Sequence, residues 1–410
     1  MIRSFFVFLA FTASFHLQAA QTNLPASAYH INSGSTHAHT SFTTSHGAQF
    51  KRAKDAPKDE KESLVQVSPE GVQTANKNMV LRPDWQKVQG PPSVHYAIAK
   101  KNGYDFYVTS DHSQDTPFHP VSLTNEAWVA AKEQARAATD SDFVALAGYE
   151  HSENNGPGGK GHINVINSDA YLNAYSPGVD LPYLYKWLAT AKANGDGPVV
   201  ATFNHPGAHQ YNDWANRDDA VTDVITMLEV INGQNHIHYA GFIAALDHGW
   251  KVSPVCGHDN HGTEGIAGLV SRTFVLATNK TKLAILDAMK NRRTYASLDR
   301  NIQCRYSVNG AVMGSTLKRS ESFRFEIEVS DPDTNRPKNK ITKIDIVKNG
   351  GAVVESFSPE PAFAVRWSPT IRDAKARYFF VRVWSANGGD VPKANPKEPM
   401  AWLAPVWVRP

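Results

Sequence analysis

The sequence predicts an α/β protein, a barrel of roughly seven strand–helix units followed by a small antiparallel β-sandwich, on three observations. Apolar runs of strand length alternate with helical stretches from Tyr29 to Asn291, a pattern that implies parallel strands joined by helical crossovers. Five short segments end in residues of metal-ligand type: Thr36-His37-Ala38-His39, Ser110-Asp111-His112, Tyr149-Glu150, Asn204-His205-Pro206 and Gly257-His258-Asp259-Asn260-His261. Most of them follow an apolar run, and ends of different strands converge only when the sheet closes on itself, which favours a barrel over an open sheet. Beyond Asn301 the texture changes to short alternating strands.

The elements follow in order. A short strand near Tyr29 to Ser35 leads into the first histidine pair. Lys51 to Gly90 is rich in Lys, Asp, Glu, Pro and Gln without an apolar period; it reads as an exposed insertion (51–90), a surface loop or a lid. Val94 to Lys101 is a helix ended by Gly103, Tyr104 to Thr109 a buried strand, Asn125 to Thr139 an Ala-rich helix and Phe143 to Gly148 the next strand. His162 to Ile166, Pro198 to Phe203, Ile225 to Ile231, Val252 to Val255 and Leu269 to Leu276 read as strands. Helices are predicted at Leu181 to Asn194, Tyr239 to Gly249 and Leu283 to Asn291. In the tail, Phe323 to Val329 alternates strictly and Tyr378 to Trp384 largely so, with Ile344 to Val347 and the turn Lys348-Asn349-Gly350-Gly351 between them. The domains expected are a signal segment (1–20), a barrel (21–300) and a sandwich (301–410).

The N-terminus sets an expectation about location. Arg3, the apolar run Phe5 to Phe11 and the small residues of Leu17-Gln18-Ala19-Ala20 make a secretory signal peptide, cut near Ala19 or Ala20 and leading to a periplasm or the outside. The run is short for a membrane span, so no membrane association is expected after cleavage. A net charge of +3 is too mild to argue for nucleic acid. Cys256 and Cys304 could pair after export, but Cys256 reads as a buried small hydrophobe.

Residues two apart on a strand share a face, so His37/His39 and Asp259/His261 each form a claw. His46 lies in a Thr/Ser-rich turn, His112, Glu150 and His205 finish apolar runs, and His162 opens a strand after the glycine-rich stretch 155–161. Imidazoles with two carboxylates suit zinc, manganese or iron. Nine ligands (His37, His39, His46, His112, Glu150, His162, His205, Asp259, His261) exceed one ion's needs, so two or three divalent metals are implied, with Glu150 as the bridging carboxylate. Asp111 is expected to orient an imidazole or tie down its loop. His258 touches substrate or holds no metal. The other histidines are given structural places, with His119 and His151 nearest to promotion because each follows a ligand. Lys160 and Arg272 read as solvated or structural charges rather than anchors for an anion.

His37-Ala38-His39, Thr109-Ser110-Asp111-His112, Glu150, Asn204-His205-Pro206 and Gly257 to His261, in that order, resemble the polymerase-and-histidinol-phosphatase (PHP) superfamily. Gly148-Tyr149-Glu150, Gly161-His162-Ile163-Asn164, Leu228-Glu229-Val230 and Arg293 to Ser297 look most like its exported branch, which includes carbaryl hydrolase. The resemblance covers roughly Ser33 to Ser297, and implies a distorted (β/α)7 barrel with a trinuclear metal site. His46 departs from the many relatives that carry an aspartate in that turn.

The chemistry expected is hydrolysis of a small, anionic substrate by a metal-bridged hydroxide, with Glu150, Asp259 and His205 at its centre. Three divalent ions would carry six positive charges, of which the two carboxylates cancel two; such a site lowers the pKa of water and attracts a phosphate ester. A phosphoesterase is the leading reading. Carbamate, ester or amide hydrolysis on the same ligands competes with it, and a non-catalytic metal-dependent binding module is the alternative from another class. Oligomeric state is left open.

Overall fold

The structure is a computed structural model that describes residues 25–45, 47–54, 65–68, 72–75, 78–153 and 160–409. The signal segment, His46 and residues 156–159 of the glycine run lie outside the described residues.

A curled sheet carries the ligand segments. Its strands are β1 (His30–Ser35), β2 (Phe106–His112), β3 (Val144–Ser152), β4 (His162–Ile166), β5 (Val200–Asn204), β6 (Ile225–Asn232) and β7 (Ser253–Gly257), hydrogen-bonded in the order β7-β6-β5-β4-β3-β2-β1. Just past the ends of β1 and β7, Ala38 bridges Asn260 and the Thr36 amide donates to the Cys256 carbonyl at 3.4 Å. β1 also pairs antiparallel with β8 (Arg272–Ala277), which pairs with β9 (Thr294–Ser297).

The expectation of parallel pairing throughout is corrected. β4 runs antiparallel to both β3 and β5. Only residues 153–161 lie between β3 and β4, fewer than the dozen or so that a parallel crossover needs, so the chain joins the neighbouring strand by reversing direction. That reversal explains why His162 opens its strand while the other ligands close theirs: it pairs with Ser152 on one side and Asn204 on the other, at the same end of the sheet.

Alternation along each strand sorts the residues inside the curl. Phe106, Val108, Val144, Leu146, Ile166, Val200, Met227 and Val255 form one buried apolar cluster with Ile285, Leu286 and Met289 of the helix Lys282–Lys290. On the same strand faces, two or more residues further up, stand His112, Glu150 and His162. The plug below and the ligands above are thus one pattern, apolar at the base and polar at the top. The opposite face of β2 and β3 packs Tyr107, Phe143 and Ala145 against Tyr96 and Ala99 of α1 (Pro92–Lys101) and Ala131 and Ala135 of α2 (Glu126–Ala138). Asn125 caps α2 by accepting the Trp128 amide at 3.0 Å. The helix expected over Leu181 to Asn194 stops at Leu188. Its C-terminal part turns back, with the Asn194 amide on the Asn167 carbonyl and Ala193 bridging Ser168, because those bonds close the loop before β5.

Two antiparallel sheets follow. Gln303–Val308, Phe323–Ser330 and Ala364–Trp367 form one; Ile341–Lys348, Ala352–Phe357, Tyr378–Ser385 and Ala401–Leu403 form the other, and Ala401–Leu403 pairs with β9, so the curled sheet runs on into it. Phe323 and Phe325 meet Phe379 across the gap, ring centres 5.0 and 5.6 Å apart. The outer face of Phe323–Ser330 is exposed, which is why its alternation was so clear in the sequence.

The turn after β9 buries Asp299, whose Oδ1 accepts the amides of Asn301 (2.9 Å) and Ile302 (2.8 Å). Burial, reinforced by the carboxylates of Asp390 and Asp331, pushes its pKa up to about 7. The unfolded chain therefore releases this proton first, so stability present below about pH 4 is lost as pH rises towards 7. Asp299→Asn, which keeps the acceptor oxygen, is expected to remove this pH dependence and to melt above the parent at pH 8. Thermal melts from pH 5 to 8 check it.

Candidate metal centre

The sheet brings eight of the nine predicted ligands to one place, the ninth being the undescribed His46. Glu150 stands at the centre. Its Oε1 lies 3.4 Å from His37 Nε2, 3.1 Å from His162 Nδ1 and 3.7 Å from His205 Nε2; its Oε2 lies 3.0 Å from His112 Nε2 and 3.6 Å from His39 Nε2. Asp259 reaches the same space: Oδ1 is 3.0 Å from His39 Nε2 and 3.5 Å from His37 Nε2, while Oδ2 is 3.8 Å from His205 Nε2. His261 stacks on His39, ring centres 4.1 Å apart, and its Nδ1 is 3.9 Å from Asp259 Oδ1.

The His37/His39 claw closes just past the end of β1, with the two Nε2 atoms only 3.0 Å apart; Asp259 and His261, beyond the end of β7 with Asp259 at positive φ, fall in different ligand groups. Three groups have ligand atoms close enough to share an ion: His39/His112/His261, His37/Glu150/His205 and His37/His39/Asp259. His162 adds a further imidazole against Glu150, on the half-exposed side of the centre. His205 and Asp259 hold positive φ angles of 30° and 51°, strain of about 1 kcal/mol or more each for residues with a Cβ. Strain of this kind persists where the surroundings fix the side chain.

The donor chemistry fits divalent ions. Nitrogen and carboxylate oxygen are the ligands zinc, manganese and iron accept. The far ring nitrogens are held from behind: His37 Nδ1 by Glu229 Oε1 (2.8 Å), His39 Nδ1 by Thr43 Oγ1 (3.1 Å) and His112 Nδ1 by Ser45 Oγ (2.9 Å). Each bond leaves Nε2 aimed inward. Glu150 is braced by Asn204 Nδ2 on Oε1 (2.8 Å) and Ser152 Oγ on Oε2 (2.9 Å).

Electrostatics point the same way. Burial opposes ionisation of Glu150, but His162 and His37 outweigh it and hold its pKa well below the usual carboxylate range. Asp259 is held low against burial by His37 and His39. Burial would lower His37, yet Asp259, Glu150 and Glu229 raise it well above the ordinary imidazole value. His39, with His261 and His112 beside it, is lowered well below that value, chiefly by burial. A buried carboxylate and a part-buried one, both kept ionised among imidazoles, make a place where positive charge is favoured.

Asp111 ties down the loop, as expected. Its Oδ1 accepts the amides of Thr40 (2.6 Å) and Thr43 (3.0 Å) and the Thr43 hydroxyl (2.8 Å), and so fixes the hydroxyl on His39. His258 turns away from the centre, its Nε2 on the Ser271 carbonyl at 3.0 Å and its ring against Tyr104. Lys160 pairs with Glu153 at 2.9 Å, as does His151 at 3.3 Å, and Arg272 lies over the Tyr104 ring at 3.7 Å. Cys256 and Cys304 are both buried and unpaired with each other. From the insertion, Gln89 Nε2 donates to the carbonyls of His39 (2.9 Å) and Thr40 (2.8 Å), so its C-terminal end braces the first claw.

Sequence reasoning assigned no role to Glu229, Thr43, Ser45, Asp115 or Asn232. Asp115 accepts the Ser45 hydroxyl at 2.8 Å, and Asn232 Nδ2 donates to Glu229 Oε2 and Asp259 Oδ2, both at 3.2 Å. Glu229 alone carried a signal: a carboxylate inside an otherwise apolar strand.

No sequence-family model matches the chain, and no curated protein does. Among solved structures, it is similar to a two-domain protein of Bacteroides vulgatus ATCC 8482 that contains a predicted PHP-like metal-dependent phosphoesterase, with 16% identity over 92% of this chain and 96% of that one and a TM-score of 0.43. It also aligns with the sulfur carrier protein SoxY of Chlorobium limicola f. thiosulfatophilum, with 19% identity over 26% of this chain and 78% of that one and a TM-score of 0.18. At such scores neither superposition establishes a shared fold.

Proposed function

We propose that this chain is an exported metal-dependent hydrolase of the PHP kind, built on a distorted seven-stranded barrel with a β-sandwich behind it, and that phosphate esters are its substrates. The observation that carries this reading is the convergence of three potential ligand groups around Glu150 and Asp259. His37, His39, His112, Glu150, His162, His205, Asp259 and His261 would hold two or three divalent ions, zinc, manganese or iron. Such ions supply an acidified water and positive charge against an anionic ester.

The protein's own part is positional. Glu150 spans the ligand groups because its two oxygens face different imidazoles. Asp259 fixes the opposite wall, held by Asn232. His162, His205, Asp259 and His261 are the part-exposed members of the set, so a substrate would enter on their side. The surplus of positive charge expected once ions are bound favours an anionic small molecule over a neutral one.

Hydrolysis by the mature protein of chromogenic phosphate esters, beside carboxyl-ester and carbamate panels, tests the reading with manganese, zinc or iron supplied. Phosphate turnover is expected. Turnover of carbamates or esters alone would move the chain to carbonyl chemistry, and silence on all panels with metal bound would favour a binding module.

A further inference from the structure

Glu229 is buried completely, inside the curl, and touches two ligands of one group from behind. Its Oε1 lies 2.8 Å from His37 Nδ1 and its Oε2 accepts the His205 backbone amide at 2.9 Å. His37 and His205 are two of the three members of the group completed by Glu150. The group His39/His112/His261 has its supports elsewhere. Its imidazoles His39 and His112 lean instead on Thr43 and Ser45, which bond to Asp111 and Asp115.

Room for Glu229 is made by one residue of the neighbouring strand. A Cβ on Gly257 would stand 1.8 Å from Glu229 Oε1 and 2.8 Å from the His37 Cβ. Gly257 pairs with Asn232 on β6, and its φ is not in the left-handed region, so close approach rather than backbone conformation demands glycine here. Any side chain at 257 would expel the carboxylate from its place behind His37.

We infer that Glu229 is a positioning residue specific to one part of the metal centre: it orients His37 and the His205 loop for the ion shared with Glu150, while the ion at His39/His112/His261 is supported separately by Asp111 and Asp115. The inference rests on the metal-dependent reading above and goes beyond it by dividing the centre into independently supported positions. The carboxylate holds His37 Nδ1, which would leave Nε2 free to face an ion, and its second oxygen holds the His205 amide in its positive-φ turn. A partner of this kind is typically worth about 10- to 100-fold in metal affinity.

The test is a metal titration of the full mature protein, parent against Glu229→Gln, reading bound manganese per chain by elemental analysis and affinity by calorimetry. The parent is expected to bind at least two ions. In Glu229→Gln one class of ion is expected to weaken by about 10- to 100-fold while another keeps its parental affinity. Ser45→Ala, which withdraws support from His112, should weaken the class that Glu229→Gln spares.

Gly257→Ala provides a second route, with melting curves confirming that each variant folds. The added Cβ would press on both Glu229 Oε1 and the His37 Cβ, so it should reproduce the selective loss at the ligands that Glu229 supports. Equal weakening of every ion in Glu229→Gln, or unchanged affinity, would overturn the inference. A parent that binds no ion would overturn the metal-dependent reading itself, a distinguishable result.

Discussion

Glu150→Ala is expected to abolish tight metal binding and lower phosphate-ester turnover by about 10³-fold or more, since one carboxylate serves every ligand group at once. Its two oxygens lie within 3.7 Å of five imidazoles, and no neighbouring acid can replace it: Asp259 approaches from the opposite wall, and Glu229 is committed behind His37. Removing it leaves a buried imidazole cluster whose charged forms repel one another. Steady-state kinetics with metal content measured on the same sample check this. Parental turnover in a metal-loaded Glu150→Ala variant would show that the reaction does not run through the centre.

Metal removal should destabilise the protein in proportion to the ions lost. An ion that binds only the folded chain stabilises it by about 4 kcal/mol at a thousandfold excess over its Kd. Two such ions would matter greatly for a fold whose first claw, strand ends and insertion all meet at the centre. The protein treated with chelator is therefore expected to melt several degrees lower than the metal-loaded protein, and re-addition of manganese or zinc should restore the melt. The sense is fixed by mass action, so a chelated protein that melts at the parental temperature would mean that the ligands bind no ion tightly.

Much of this centre was legible in the sequence, and the reason is geometric. A ligand at a strand end has no freedom to face elsewhere once the strand's apolar residues choose the inside of the curl. Val144 and Leu146 fix Glu150, and Phe106 and Val108 fix His112. The spacing of two in His37/His39 makes a claw because the chain stays bridged just past β1, where Ala38 meets Asn260. Less legible was strand direction. Alternating strands and helices implied parallel pairing, yet β4 reverses; the sign was present in the shortness of the glycine-rich stretch before His162, which is too short for a helical crossover.

The supports behind the ligands were harder to see. Thr43, Ser45 and Asp115 lie in loops, where no period relates a residue to its partner, and their bonds join positions about 70 apart in the chain. Glu229 could have been found: a carboxylate on a strand buried along almost its whole length must meet a partner, and the costs of leaving it unpaired are large. Gly257 could not, since its need for space appears only when β6 and β7 lie side by side.

Anomalous diffraction from crystals of the mature protein grown with manganese or zinc tests the central claim most directly. The account predicts at least two anomalous peaks between Glu150 and the Nε2 atoms of His37, His39 and His112, one of them within bonding distance of both His37 and Glu150. A map without peaks there, under conditions where the protein hydrolyses its substrate, would contradict it.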